Sequence, residues 1–305
     1  MTAQKLRIGI LRLLDSAPVI IARAHGFLAD AGLDATVVIE PSWANIADKL
    51  AYGLLDAAVI LGPLAVAMTL GLRGRPTDLR FAGTLSRNGN AIVLSPALAT
   101  MPDISGITAC FAVVHAYSNH DLLLRDWMAT RGIPTASVTI ITLPPADMVG
   151  ALERGSIAGF CAGAPWGDIA ARSGAGTIVA VSANLAPNHP EKMLVLRGDL
   201  ADAQPMIAAA LRDALGAATA ICSADADRES LATILAAPHN LDLPQPVLEA
   251  ALVPFGGNPV FMTGVDLRPV TADLRWTIER MRLAGHLAGI RPAEVEARLL
   301  YRPAK

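Results

Sequence analysis

The chain has 305 residues, a formal net charge of −2 and 53% hydrophobic residues, with only 17% charged. That length buries one large core or two ordinary ones, and so few charges argue against a disordered chain. The near-neutral balance supplies no basic stripe for direct nucleic-acid binding, and no uninterrupted apolar run approaches the ~20 residues of a membrane-spanning helix. The cysteines, Cys110, Cys161 and Cys222, are odd in number, widely spaced and without a C-x-x-C pair. They point away from a disulfide framework or a zinc site and read as small buried hydrophobes.

Lys5-Leu6-Arg7-Ile8-Gly9-Ile10 leads straight into a first strand over 6–11. A secretory leader shows a basic start, about 7–15 apolar residues and a small-residue cleavage site before the fold begins. The expectation is a cytoplasmic protein, or a periplasmic one if a leader has been removed. Asp15-Ser16-Ala17-Pro18 starts a helix, with polar caps and a proline in the first turn, where the missing N–H costs nothing. That helix spans 19–31, with Gly26-Phe27-Leu28 inside it, and stops at Gly32. A second strand covers 35–40. Pro41-Ser42-Trp43 is a turn, and a helix follows over 45–52, stopped by Gly53. The apolar run 57–61 is short, continuous and bounded by turn residues, so it reads as a buried strand. Gly62-Pro63 breaks it, and 64–70 begins another helix. This stretch sets Trp43 and the Gly62-Pro63 turn where loops meet helix starts, the usual ligand position in an open parallel sheet. With a further strand over 80–84, the chain alternates strand and helix, which predicts a mainly parallel sheet.

A new unit follows, with strands over 91–94 and 108–113. Ser118-Asn119-His120-Asp121 caps a helix over 122–130, ended by Arg131-Gly132-Ile133-Pro134. A strand over 138–142 and a short helix to Arg154 come next. The strand 157–161 delivers Gly163-Ala164-Pro165-Trp166 to a loop, and a helix runs from there to Arg172. Segments 177–181 and 192–196 read as the last strands. Beyond Gly198 the pattern is helical over 205–220, 228–237 and 271–286, with 258–261 irregular. No repeat appears at solenoid periods.

The stretch S-W-A-N-I-x-D-K-L-A-Y-G-x-L-D-A-A from Ser42, followed by Gly62-Pro63, resembles the nitrate/bicarbonate-binding family. Those are periplasmic solute-binding proteins of ABC importers, with a cytoplasmic branch of nitrate/nitrite sensors that partner an RNA-binding antiterminator. The likeness recurs in N-G-N at 88–90, N-H-D at 119–121, F-C-A-G-A-P-W at 160–166, N-H-P-E-K at 188–192 and Y-R-P at 301–303. The resemblance implies an α/β, two-lobed type II periplasmic-binding-protein fold with a ligand cleft between the lobes. Residues 1–86 and 193–305 would form one lobe and 87–192 the other, with crossings near Ser86 and Lys192. Lobes joined by two crossovers can close on a ligand. No cofactor and no metal are implied. The implied partners are a nitrate or nitrite anion and an antiterminator response-regulator protein, with no membrane insertion.

A small oxyanion needs hydrogen-bond donors and some positive charge, because a bare buried anion is costly. Helix starts before Val19, at Trp43, at His120 and at Pro165 offer N–H groups and the dipole. By resemblance the ligand-binding residues are Trp43, Asn90, His120, Gly163 and Lys192. Trp43 brings a donor-only indole; read without the family it is an aromatic core plug. Asn90 stands where nitrate binders carry a longer glutamine; alone it reads as a turn asparagine. His120 donates whether neutral or protonated, or packs beside Asp121. Gly163 lets the main chain approach a ligand. Lys192 is the charge partner, unless it is a solvated surface lysine. His189 is expected to pack or cap.

Ala164 departs from the glutamate common in nitrate-binding relatives, which argues against a calcium-assisted bicarbonate site. It also suggests a hypothesis: Lys192 is left uncommitted, so binding changes little between pH 6 and 8, around the free histidine pKa of about 6.5. Calorimetric titration of nitrate across that range tests it. Two other readings stand beside the sensor. One is a solute-binding component of an ABC importer. The other is an enzyme on the same fold, like pyrimidine-precursor or menaquinone-pathway relatives, with Cys161 as nucleophile and His120 as base.

Overall fold

The structure is a computed structural model and describes residues 4–224, 227–253, 259–261 and 267–300. Its strands are β1 (Gln4–Ile10), β2 (Leu33–Ile39), β3 (Ala57–Leu61), β4 (Leu79–Asn88), β5 (Asn90–Leu94), β6 (Ala109–Val113), β7 (Val138–Thr142), β8 (Gly159–Gly163), β9 (Thr177–Val181), β10 (Pro190–Arg197) and β11 (Pro259–Phe261). They make two sheets, ordered β11-β4-β10-β3-β1-β2 and β7-β6-β8-β5-β9. The parallel pairs β1–β2, β1–β3, β6–β7 and β6–β8 are joined through helical connections, as parallel pairing requires. The sheets are mixed, not mainly parallel as expected. β4 runs out toward the second sheet and β10 runs back, so β10 opposes both β3 and β4. For the same reason β5 opposes β8 and β9.

The passage between sheets is short. Asn88 (φ 55°) and Gly89 (φ 87°) are left-handed and turn β4 directly into β5; Asn188 (φ 59°) does the same just ahead of β10. Glycine takes this conformation freely, and asparagine tolerates it better than most residues with a Cβ. The two crossovers lie side by side. Asn88 N–H donates to the His189 carbonyl (3.1 Å), and Arg87 Nη1 donates to the Asn188 carbonyl (2.9 Å). β4 reaches Asn88 and β10 starts at Pro190, so Lys192 pairs within the first sheet, with Glu191 at the register shift just before it.

β3 shows how the first sheet is buried. All five of its residues are inside. Val59 packs with Ile20, Leu211 and Leu215 on one face, and Ile60 with Leu50, Val66 and Ile278 on the other. A period of two on a sheet covered on both sides gives this continuous apolar run. In the second sheet Phe111 and Cys161 pack with Leu124, Trp127 and Met128 of the helix Asn119–Thr130.

Several expected elements shift. The helix expected over 19–31 is Ala17–Ala24, then left-handed Gly26 (φ 80°), then Phe27–Asp30, with Leu28 as the buried plug. The last long helix is Thr271–Leu283, short of His286 because Gly285 is left-handed (φ 80°). The helices Gln245–Ala251 and Pro292–Leu299 were not expected. Pro259–Phe261, expected to be irregular, is a strand at the edge beside β4, a position that tolerates proline. Asn258 and Tyr301-Arg302-Pro303 lie outside the described residues. Met206–Ser223 is long and apolar enough to cross a membrane by length and composition; half of it is buried, with Leu211 and Leu215 in the core.

Candidate functional site

Two serine caps place the first side chains. Ser42 Oγ accepts from Asn45 N–H (3.2 Å) and makes Trp43 the first residue of the helix Trp43–Ala51. Ser118 Oγ accepts from Asp121 N–H (3.1 Å) and puts His120 in the first turn of Asn119–Thr130. Gly163 ends β8 and Asn90 starts β5, paired in register. Lys192 lies on β10. The structure therefore brings all five expected residues together, three from second-sheet elements and two from the first.

The distances define one hollow. Lys192 Nζ lies 5.4 Å from the centre of the Trp43 ring. A Cβ on Gly163 would lie 3.6 Å from Asn90 Oδ1, 3.7 Å from His120 Nε2 and 3.8 Å from Asp15 Oδ2. Trp43, Asn90, His120 and Lys192 are each no more than 1% exposed. The surroundings are dry, so charge and hydrogen bonding count more than at a surface.

Lys192 is not uncommitted. Its Nζ lies 2.7 Å from Asp15 Oδ2 and 2.8 Å from Glu191 Oε1. Burial alone would lower its pKa, but Asp15 and Glu191 hold it above the ordinary lysine value. It is a buried ammonium, not a solvated surface lysine. Asp15 was expected to cap a helix; it makes no cap hydrogen bond and serves as an ion partner instead. Burial pushes its carboxyl upward, against the pull of Lys192. Burial also works against the charge on Glu191, yet Lys192, His120 and His189 bring its pKa down to about 2. Two amides hold Glu191 Oε2 as well: Asn90 Nδ2 (2.7 Å) and Asn119 Nδ2 (2.9 Å). Burial lowers His120 to about 3, so its imidazole is neutral; its Nε2 is 4.0 Å from Glu191 Oε1.

Several buried polar atoms around the hollow have no protein partner: Trp43 Nε1, both ring nitrogens of His120, Asn90 Oδ1, Asn119 Oδ1 and Asp15 Oδ1. An unsatisfied buried group costs about 1–3 kcal/mol. Buried polar groups are otherwise nearly always paired, so such a cluster marks a place for a polar ligand.

The remaining candidates do other work. His189 stacks on Trp276 (centroids 5.6 Å apart, 21° between planes), and its Nδ1 is 3.6 Å from Glu191 Oε2. Cys161 is buried, and burial with the nearby Glu191 and Asp121 raises its thiol well above 9.0. It offers no thiolate for attack. The Ala164 carbonyl accepts from Leu14 N–H (3.0 Å), a bond between the halves, and the Ala164–Pro165 peptide is cis. Outside the hollow, a cavity of about 430 Å³ is walled by Leu11, Arg12 and Glu40 from one half and Pro144, Pro145 and Trp166 from the other. Among the described residues, no group of three or more His, Cys, Asp or Glu is placed to hold a metal ion.

Asp15 and Glu191 are the site residues that sequence reasoning missed. In N-H-P-E-K the sequence suggests a charge partner in Lys192 and a packing or capping residue in His189, but nothing for Glu191.

Known proteins resemble this chain along most of its length. The profile of the NMT1-like family matches residues 2–236. The nitrate import ATP-binding protein NrtC of Synechocystis is 35% identical over 249 residues, covering 77% of this chain and 37% of the relative. The bicarbonate transport ATP-binding protein CmpC of Synechocystis is 38% identical over 257 residues, covering 78% of this chain and 38% of the relative. The chain thus spans well under half the length of these relatives. The crystal structure of the periplasmic nitrate-binding protein NrtA from Synechocystis superposes with a TM-score of 0.86 at 25% identity, covering 97% of this chain and 86% of that one. The chain belongs to the NMT1-like family and has the α/β, two-lobed periplasmic-binding-protein fold of its solved relatives.

Proposed function

We propose that this protein binds nitrate or nitrite between its lobes, without catalysis, and acts in the cytoplasm as a sensor controlling an RNA-binding antiterminator. The observation that carries the anion reading is the convergence of Trp43, Asn90, His120, Gly163 and Lys192 on one dry hollow. Trp43 Nε1 and one His120 nitrogen are free donors, and Lys192 supplies the positive charge. The names of the relatives, which concern nitrate and bicarbonate, support the same ligand class.

In the sensor reading, the anion-free protein holds the antiterminator and the bound form releases it. Different affinities of the anion for the open and closed forms would supply about 1–3 kcal/mol of coupling. A second reading is the solute-binding component of an ABC importer, favoured by the superposition on a periplasmic nitrate-binding protein.

A thermal-shift panel of nitrate, nitrite, bicarbonate and chloride tests the ligand class. A bound anion at 100 times its dissociation constant stabilises by about 2.7 kcal/mol. No shift with any of them would sink the anion reading. Co-elution with the candidate antiterminator, lost on adding nitrate or nitrite, supports the sensor. An unchanged elution profile removes that role and leaves the importer.

A further inference from the structure

Around the hollow, the two carboxylates are not equivalent. Glu191 has both oxygens engaged: Oε1 with Lys192, Oε2 with Asn90 and Asn119. Asp15 engages Lys192 through Oδ2 only, and its Oδ1 is buried without a partner. We propose that Asp15 binds the anion in its protonated form, so that the anion and one proton enter together. The neutral carboxyl donates to the anion through Oδ1, and Lys192 keeps Glu191 as its counter-charge. This rests on the small-anion reading above.

The argument is one of charge in a dry space. Lys192 already faces two carboxylates. A nitrate beside an ionised Asp15 would set a third negative charge against one ammonium, and like charges in such surroundings repel strongly. Nitrate carries no hydrogen to offer Asp15 Oδ1. Protonation removes one charge and turns an orphaned acceptor into a donor. The proton passes from solvent to the carboxylate, with no other bond made or broken.

The neighbouring groups leave Asp15 as the acceptor of that proton. From the first sheet, Lys192 and Glu191 face it, and both are charged. His189 touches Glu191, and Arg87 is paired with Asp273. From the second sheet's elements come His120, Cys161 and Asp121. His120 is held near 3 by burial, far from protonation. Cys161 keeps its proton, and Asp121 is bound by Arg125 (2.8 Å). Burial and Glu191 both favour the neutral form of Asp15, with Lys192 opposing.

The experiment is calorimetric titration of nitrate at pH 6, 7 and 8, in buffers of different ionisation heat, with the intact chain and with Asp15→Asn. The expected result for the intact chain is uptake of about one proton per nitrate, with affinity weakening about tenfold for each pH unit. The amide in Asp15→Asn imitates the neutral carboxyl, so this variant binds with little pH dependence and more tightly than the intact chain at pH 8. Constant affinity without proton uptake in the intact chain overturns the proposal, and that measurement stands even if the variant does not fold. Proton uptake that persists in Asp15→Asn overturns the assignment to Asp15. Nitrate binding at no pH by either protein overturns the anion reading itself.

Discussion

Asn90 Nδ2 donates to Glu191 Oε2 over 2.7 Å, and this bond runs from the first residue of β5 in one sheet to β10 in the other. Asn119 Nδ2 reaches the same oxygen (2.9 Å) and the Pro190 carbonyl (2.8 Å). Two amides of the second lobe thus grip one carboxylate of the first, right beside the crossovers. Glu191 therefore ties the contact between the two lobes to the charge balance on Lys192.

Replacing Glu191 by glutamine should cost about 3 kcal/mol in urea unfolding. The change removes the charge from a buried ion pair and weakens two charge-assisted hydrogen bonds. Asp15 keeps Lys192 paired, which holds the cost at the lower end for such pairs. An unfolding free energy equal to that of the unaltered chain would show that Asp15 alone balances the ammonium.

Stability should fall on mild acidification. Burial keeps His120 near 3 and His115 near 4, so neither takes a proton in the folded chain at pH 5.5. In the unfolded chain both titrate near 6.5 and bind protons as the pH drops through that value. The unfolded state gains protons that the folded state cannot, so stability decreases, by about 2.5 kcal/mol between pH 7 and 5.5 for the two together. Glu191, held down to about 2, adds a further loss only below its ordinary pKa of 4.5. The raised carboxyl of Asp15 works in the opposite direction, so urea titrations at several pH values are made on Asp15→Asn as well; a flat profile between 7 and 5.5 in that variant would contradict the neutral, buried imidazoles.

The five expected site residues are legible through the family resemblance, and four of them also carry local signals. Trp43 and His120 follow capping serines, and Gly163 and Asn90 sit beside turn formers. Asp15 could not be read this way. Its D-S-A-P setting looks like a helix cap, and its partner Lys192 is far along the chain. Glu191 was hidden for a different reason. Adjacent strand residues normally point to opposite faces, so a lysine in the site argues against its neighbour. Register shifts on both sides of Lys192 break that alternation and bring both residues to the hollow. The mixed sheets were also illegible, because strand direction follows from where the chain crosses between lobes. The asparagine-rich motifs mark those crossings, but not the direction of the strands beyond them.

Trp43→Phe separates packing from ligand contact. The indole Nε1 has no protein partner, and the aromatic face toward Lys192 is kept by phenylalanine. The smaller ring should cost about 1–2 kcal/mol of stability. Nitrate affinity should fall at least about tenfold, because a hydrogen bond to a charged group contributes about 1.5–3 kcal/mol. Equal affinity by calorimetry would mean that the indole N–H does not reach the anion.

Gly163→Ala tests the hollow itself with one methyl group. The added Cβ would meet Asn90 Oδ1, His120 Nε2 and Asp15 Oδ2 at 3.6–3.8 Å, ordinary contact distances, with no backbone atom in the way. Gly163 also has no positive φ that a Cβ would strain. The folded chain should therefore tolerate alanine, with unfolding free energy within about 0.5 kcal/mol of the original, since no packing or strain mechanism applies. Yet the methyl takes up the point on which three polar side chains converge. An anion there would lose its space and its approach to the main chain, so nitrate binding should disappear while the melting temperature without ligand is unchanged. Gly167→Ala is the contrasting change. Its Cβ would come within 2.9 Å of Ala91 Cβ, between the helix Trp166–Arg172 and β5, so it should lower stability. If Gly163→Ala binds nitrate as tightly as the unaltered chain, the ligand does not occupy this hollow.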